Sequence, residues 1–244
     1  MTNRPNDAPR IDGPPPMPDL HPELRVVVTT IARPDAEIVA TFRRLYTGHV
    51  LDHLGKRGAM SSDMKPVFFG ARVCGPAVTV FGADWRLRFT AADLAQPGDV
   101  IVIAPGDLER ACFGDVTATR WKRKGLGGVV VDGAVRDVGG LRALGFSTFA
   151  RRVTPRTFHY PSGLEHGAVN VPIPCAGVTV NPGDIVVGDE DGVVVVPREA
   201  AGAVASAAVQ FLERETSKKG AFAEGGAPTG VAAEQLKELG YRFV

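Results

Sequence analysis

A chain of 244 residues, 44% hydrophobic and 23% charged, is long enough to bury one substantial α/β core and too apolar for a disordered polymer. Its 28 lysines and arginines stand against 27 aspartates and glutamates, and a net charge of +1 gives no electrostatic footprint for nucleic acid. No apolar run is long enough to span a bilayer, and Cys74, Cys112 and Cys175 lie far apart without metal-ligand spacing, the usage of a reducing compartment.

The opening MTNRPNDAPRIDGPPPMPDL is polar and proline-rich and lacks the apolar centre of a signal peptide. Residues 1–24 therefore read as a flexible arm, and the protein as cytoplasmic. RPDAEIVATFRRLYTGHVLDHLGKRGAM carries Ile38, Phe42 and Leu45 at helical spacing with Pro34 placed for a first turn, which predicts one or two helices. Gly75 to Phe81, GPAVTVF, then opens a β-rich middle. AQPGDVIVIAPGD (95–107) and VNPGDIVVGDEDGVVVVP (180–197) share a Pro-Gly-Asp turn that launches a β-branched run, either a duplicated unit or a recurrent turn.

Between them, VIVIAPGD predicts a strand, GDVTATRWKRKG (114–125) a helix, LGGVVVDG the next strand, and RDVGGLRALGF a short helix despite two internal glycines. This order is the grammar of a mostly parallel sheet with helices against it. The basic run Arg120, Lys122, Arg123 and Lys124, interrupted by Trp121, reads as a solvated helix face. REAAGAVASAAVQFLERETSKKG predicts a surface helix and VAAEQLKELGYRFV a last short one, so the compact domain covers residues 25–216 and a tail covers 217–244.

Ligands of open α/β folds gather at the carboxyl ends of strands. Two such ends follow each other here, at Gly114-Asp115 and at Asp132 to Asp137. A helix starting at Gly114 leaves the amides of Val116 and Thr117 without intrahelical partners, which suits a carboxylate or phosphate. Arg136 offers the same anion a planar charged fork, and Asp115 and Asp137 offer hard oxygen ligands to a cation such as Mg²⁺. The same residues have plain structural readings: Asp115 at a helix dipole, Asp132 in a turn, Arg136 with Asp137 as a surface ion pair.

Other constellations point elsewhere less firmly. No nucleophile elbow is present, and His21, His49, His53, His159 and His166 are scattered; His49 and His53 form an i, i+4 pair without the glutamate of a zinc-protease helix. Gly125 to Gly128 precedes a strand instead of following one, against dinucleotide binding. The lysines sit among polar or loop-like neighbours, not desolvated as a Schiff-base aldolase would need.

Asp115, then twenty residues, then Arg136-Asp137 within GVVVDGAVRDVGGLRALGF, together with AQPGDVIVI upstream and PGDIVVGDEDGVVVVP downstream, resembles the RraA-like family, which includes 4-hydroxy-4-methyl-2-oxoglutarate aldolase. The resemblance covers about residues 35 to 215. It implies an α/β/β/α sandwich of the swivelling-domain type around a mostly parallel sheet, assembled as a homotrimer or homohexamer with sites at subunit interfaces. It also implies a class II pyruvate aldolase that cleaves a 4-hydroxy-2-oxo acid to pyruvate and a second carbonyl compound, with oxaloacetate decarboxylation as a side activity.

On that likeness Asp137 holds Mg²⁺ or Mn²⁺, Asp115 binds the ion directly or through a water, and Arg136 holds the pyruvyl oxygen and stabilises the enolate. Gly114, Val116 and Thr117 receive the substrate carboxylate. The family also has members that bind and inhibit an RNA-processing endoribonuclease without catalysis; the acidic Asp115, completing D-x20-R-D, favours the enzymatic branch. A metal-dependent lyase or hydratase acting on another sugar-acid-derived 2-oxo acid is a third reading. The label of menaquinone methyltransferase carried by some members has no glycine-rich cofactor loop to support it. An acid or base from a neighbouring subunit is implied as well, with Glu213, Glu215, Asp189 and Asp191 as candidates.

Overall fold

The computed structural model describes residues 24–157, 166–225 and 231–243; the proline-rich arm up to residue 23, with His21, and also His159 lie outside the described residues. The first half runs as β1 (Arg25–Val27), α1 (Ala36–Phe42), α2 (Thr47–His53), β2 (Lys65–Pro66), β3 (Val73–Phe81), α3 (Trp85–Leu94), β4 (Val100–Ala104) and β5 (Ala111–Phe113). There follow α4 (Asp115–Arg123), β6 (Gly128–Val135), α5 (Val138–Leu144), β7 (Thr148–Val153), β8 (Gly167–Val169), β9 (Ile173–Cys175) and β10 (Val178–Val180). The hairpin β11 (Ile185–Asp189) and β12 (Gly192–Val196), the long helix α6 (Ala201–Ala223) and α7 (Val231–Glu238) complete the chain.

The main sheet has the order β1-β8-β3-β4-β6-β7-β2, with β3, β4, β6 and β7 parallel. Three apolar clusters alternate along its strands and set the layers. Val129 and Val131 of β6 pack with Trp121, Leu141 and Phe146 on the side of α3, α4 and α5. Val130 joins Phe149 on the other face, against Ile173, Val186, Val193 and Val195 of a second β layer. That layer's outward residues Ile185, Val187, Val194 and Val196 lie under Phe42, Leu45, Val50 and Val204 of the α1, α2 and α6 side. The order is helix, sheet, sheet, helix, the α/β/β/α arrangement, and each fully buried valine or leucine contributes about 1.5–3 kcal/mol of transfer free energy.

One strand joins the two β layers. β3 pairs antiparallel with β11 over Val73 to Pro76 and parallel with β4 over Ala77 to Phe81. Gly75 sits at the crossing, where a Cβ would come within 2.0 Å of the Gly98 carbonyl oxygen.

The two Pro-Gly-Asp segments enter different layers, β4 in the parallel sheet and β11 in an antiparallel hairpin, so the likeness is one of turn and not of unit. In both, the aspartate accepts from the amide three residues back, Gln96 to Asp99 at 2.7 Å and Asn181 to Asp184 at 2.9 Å. The basic run on α4 is more than a solvated face. Lys122 Nζ donates to the Leu144 carbonyl at the end of α5, and Lys124 Nζ donates to the Ala92 and Asp93 carbonyls near the end of α3. These cations satisfy carbonyls that helix ends leave free. Among the described residues, no helix is long and apolar enough to cross a membrane.

Candidate active site

β6 carries a register break between Val131 and Ala134, and β5 joins its edge only beyond that break, pairing Ala111 with Ala134 and Phe113 with Val135. The sheet thereby gains a short strand at its carboxyl end. The Arg136 amide donates to the Phe113 carbonyl at 3.0 Å, which ties the exit of β6 to the exit of β5. The chain after β5 becomes α4 and the chain after β6 becomes α5, so two helix amino termini meet at one place.

Gly114 is the extended N-cap of α4 and Asp115 its first residue. The first α4 bond runs from the Ala118 amide to the Gly114 carbonyl at 3.1 Å, so the amides of Asp115, Val116 and Thr117 precede it without intrahelical acceptors. Val116 is 82% exposed at this corner. Asp137 is the N-cap of α5 and adopts left-handed backbone, φ 60° and ψ 37°, which turns the chain sharply out of the strand. For a residue with a Cβ that conformation is uncommon.

The two carboxylates are seated crosswise. A Cβ on Gly114 would lie 2.3 Å from Asp137 Oδ2, and one on Gly140 would lie 2.2 Å from Asp115 Oδ2. Asp137 therefore rests against the start of α4, and Asp115 against the first turn of α5, each carboxylate beside the positive end of the other's helix. Arg136 Nε lies 3.3 Å from Asp137 Oδ2, with the two side chains 47% and 38% exposed, open to a ligand. The structure thus brings Gly114, Asp115, Val116, Thr117, Arg136 and Asp137 to one corner. It adds Gly140, whose only signal in the sequence is a glycine inside a helical pattern.

The donor set matches a hard divalent cation, which takes one or two carboxylates and keeps several waters. Among the described residues no group of three or more histidines, cysteines or acids is arranged to hold a metal. An all-protein cage is therefore absent from them, and the aspartate pair is the arrangement that suits Mg²⁺ or Mn²⁺.

The remaining candidates are engaged elsewhere or lie apart. Asp132 is not a turn residue: inside β6 it accepts from Arg151 Nη1 at 3.0 Å and from the Ala176 amide at 2.7 Å, joining the two β layers. Asp189 is buried and receives the Thr47 amide and hydroxyl, both at 2.8 Å, at the start of α2. Glu215 bonds His49 Nε2 at 2.8 Å, while Glu213 and Asp191 are exposed. His49 and His53 pack on the Phe211 ring, with centroids 6.0 and 5.2 Å away. Burial lowers the His53 pKa and raises all three thiols, Cys74 to about 12 and Cys112 to about 11, so the cysteines stay protonated.

The model of the family described as RraA-like, Aldolase/RraA, matches residues 47–195, a span that contains every residue of this corner. Over 171 residues the chain is 39% identical to a Halalkalibacterium halodurans protein provisionally named a 4-hydroxy-4-methyl-2-oxoglutarate aldolase, covering 69% of this chain and 80% of that one. An uncharacterized Pseudomonas syringae protein of solved structure aligns with a TM-score of 0.70 at 25% identity, over 81% of this chain and 97% of its own. Streptomyces coelicolor RraAS2, described as an unusual member of the RNase ES inhibitor RraA family, aligns with a TM-score of 0.67 at 32% identity, over 78% and 99% of the two chains. Matched over most of its ordered core by family and by fold, the chain belongs to the RraA-like family.

Proposed function

We propose that the protein is a divalent-metal-dependent lyase that cleaves a 4-hydroxy-2-oxo acid to pyruvate and a second carbonyl compound, with oxaloacetate decarboxylation as a side activity. The observation that carries this reading is the crosswise pair Asp115 and Asp137 beside Arg136, at the meeting of two helix amino termini. Asp137, with Asp115 beside it, would hold Mg²⁺ or Mn²⁺; the ion, when bound, supplies positive charge to the substrate's 2-oxo group. Arg136 donates to the oxygen that gains negative charge as the carbon–carbon bond breaks, and the amides of Val116 and Thr117 orient the substrate carboxylate. Fixed donors aimed at developing charge are worth about 2.7–4 kcal/mol each in comparable sites.

The corner is open on one side, which agrees with assembly as a homotrimer or homohexamer whose neighbouring chain closes the site and supplies the proton-transfer group. Pyruvate release from oxaloacetate and from a racemic 4-hydroxy-2-oxo acid, with Mg²⁺, Mn²⁺ or EDTA, tests the reading. Wild-type activity that requires the metal and falls about a hundredfold or more in Arg136→Ala supports it; no pyruvate under any condition refutes it. The likeness to the Streptomyces protein favours a second reading, a regulator that inhibits an endoribonuclease by binding it. Partner binding would then survive both Arg136→Ala and Asp137→Ala.

A further inference from the structure

At the opposite end of the sheet lies a cavity of about 340 Å³, lined by Phe42, Arg43, Arg72 and Val187 with the backbone of Gly98 and Gly125. It sits where β3, β4 and β6 begin. Eight residues of β6 separate it from Asp137, roughly 25 Å at about 3.3 Å per residue, so it is no part of the corner described above. Its floor is apolar and buried, formed by Phe42, Val73 and Val187.

Its rim carries two guanidinium groups. Arg72 is held in place, donating to the Leu45 carbonyl at 2.6 Å and lying over the Tyr46 ring at 4.8 Å from its centroid. Those contacts consume one donor and leave the rest of the fork free. Arg43 reaches in from the end of α1, and a Cβ on Gly98 would stand 3.2 Å from its Nη2. Among the described residues neither Arg43 nor Arg72 pairs with a carboxylate; the nearby Asp99 is committed to Arg33 at 2.7 Å. Both guanidinium charges act on the Cys74 thiol in the cavity wall, which burial nevertheless keeps protonated. Nothing in the wall therefore cancels the two positive charges.

We propose that this cleft is a second ligand site, which takes the oxyanion group of a small molecule between Arg43 and Arg72 and its apolar part on the floor beneath. Two guanidinium forks recognise carboxylate or tetrahedral oxyanions through paired charge-assisted hydrogen bonds. A volume of this size admits a small metabolite. Gly98, with left-handed backbone at φ 89°, leaves the approach free of a side chain.

Calorimetric titration of the full chain with sodium sulfate and, separately, with sodium malonate tests the site and tells which oxyanion geometry it prefers. At least one probe should bind saturably, with affinity about tenfold weaker in Arg43→Gln and unchanged in Arg136→Ala. Arg72→Gln should weaken binding similarly; should loss of its bond to Leu45 unfold the chain, Arg43→Gln alone decides, because among the described residues the Arg43 guanidinium makes no hydrogen bond or ion pair with another element. Absence of saturable binding by either anion overturns the proposal. So does binding that disappears in Arg136→Ala, or that keeps its affinity when Arg43→Gln is added to Arg136→Ala, since the anion then does not sit between Arg43 and Arg72.

Discussion

Replacing Gly140 by alanine separates the site from the fold. The added Cβ would meet Asp115 Oδ2 at 2.2 Å, Asp115 Cβ at 2.8 Å and Asp115 Cγ at 2.9 Å, where real Cβ contacts do not fall below 3.0 Å. The carboxylate oxygen must retreat by at least 0.8 Å. Rotation about χ1 does not clear the overlap, because Asp115 Cβ is itself too close and moves only with the backbone of α4. A displacement of this size in a positioned group costs on the order of a hundredfold in rate. The neighbouring Gly139 has nothing within 4 Å, so Gly139→Ala supplies the control. Each alanine gains about 1 kcal/mol of helix propensity, which Gly139→Ala keeps and Gly140→Ala spends on the overlap. The melting temperature should therefore rise by about 2–4 °C in Gly139→Ala and stay near wild type in Gly140→Ala. Metal-dependent pyruvate release and Mn²⁺ affinity, measured beside thermal melts, read both effects. Turnover and Mn²⁺ affinity in Gly140→Ala within about twofold of Gly139→Ala would refute the crosswise seating as a functional device.

Asp137→Gly should remove the carboxylate while relieving left-handed backbone that costs a side-chain-bearing residue about 1 kcal/mol; the melting temperature should hold or rise while Mn²⁺ affinity falls at least about tenfold. Retained Mn²⁺ affinity would remove Asp137 from the metal site. Asp189→Ala should strip acceptors from the Thr47 amide and hydroxyl and cost about 2–4 kcal/mol, lowering the melting temperature by roughly 5–10 °C with turnover per folded molecule unchanged. An unchanged melt would show that α2 does not depend on this carboxylate. Burial lowers the His53 pKa below its ordinary 6.5, so the unfolded chain takes up the proton first. Stability from this group is complete above 6.5 and drains as pH falls from there to the folded value; His53→Phe should flatten the melting temperature over that interval, and an equally steep slope would exclude His53 as its source.

The parallel units were legible because each is a short β-branched run followed by a helical period, and these local signals agree with the final packing. Helix α3 was not legible. Its inward face carries Arg88, 5% exposed, whose Nη1 donates to the Ala83 carbonyl at 2.7 Å. A buried arginine reads as solvent-facing in any apolar pattern, so the helical stripe of Ala91 and Ala92 disappears from view. The split of β3 between two layers was hidden for a related reason. A run buried on both faces shows no alternation, and composition cannot say whether its neighbours are helices or a second sheet.

The corner itself was legible to the extent that it is a matter of connectivity. From the end of β5, one helix and one parallel strand return the chain beside its starting point, so residues separated by twenty others, Asp115 and Arg136, become neighbours by the ordinary geometry of a strand-helix-strand crossover. What the sequence kept from view is how that corner holds its charges, because there local rules are broken. Gly140 weakens the helix it belongs to, Asp137 takes a conformation that favours glycine, and Gly114 starts a helix without a capping side chain. Each departure looks like a defect when read along the chain. Read across the corner, Gly140 makes room for Asp115, Gly114 makes room for Asp137, and the left-handed turn at Asp137 brings its carboxylate onto Gly114. Two local costs of about 1 kcal/mol each, at Gly140 and Asp137, and one of about a few tenths at the Gly114 cap, all concentrated on two carboxylates, are the pattern expected where a fold gives up stability to position a ligand.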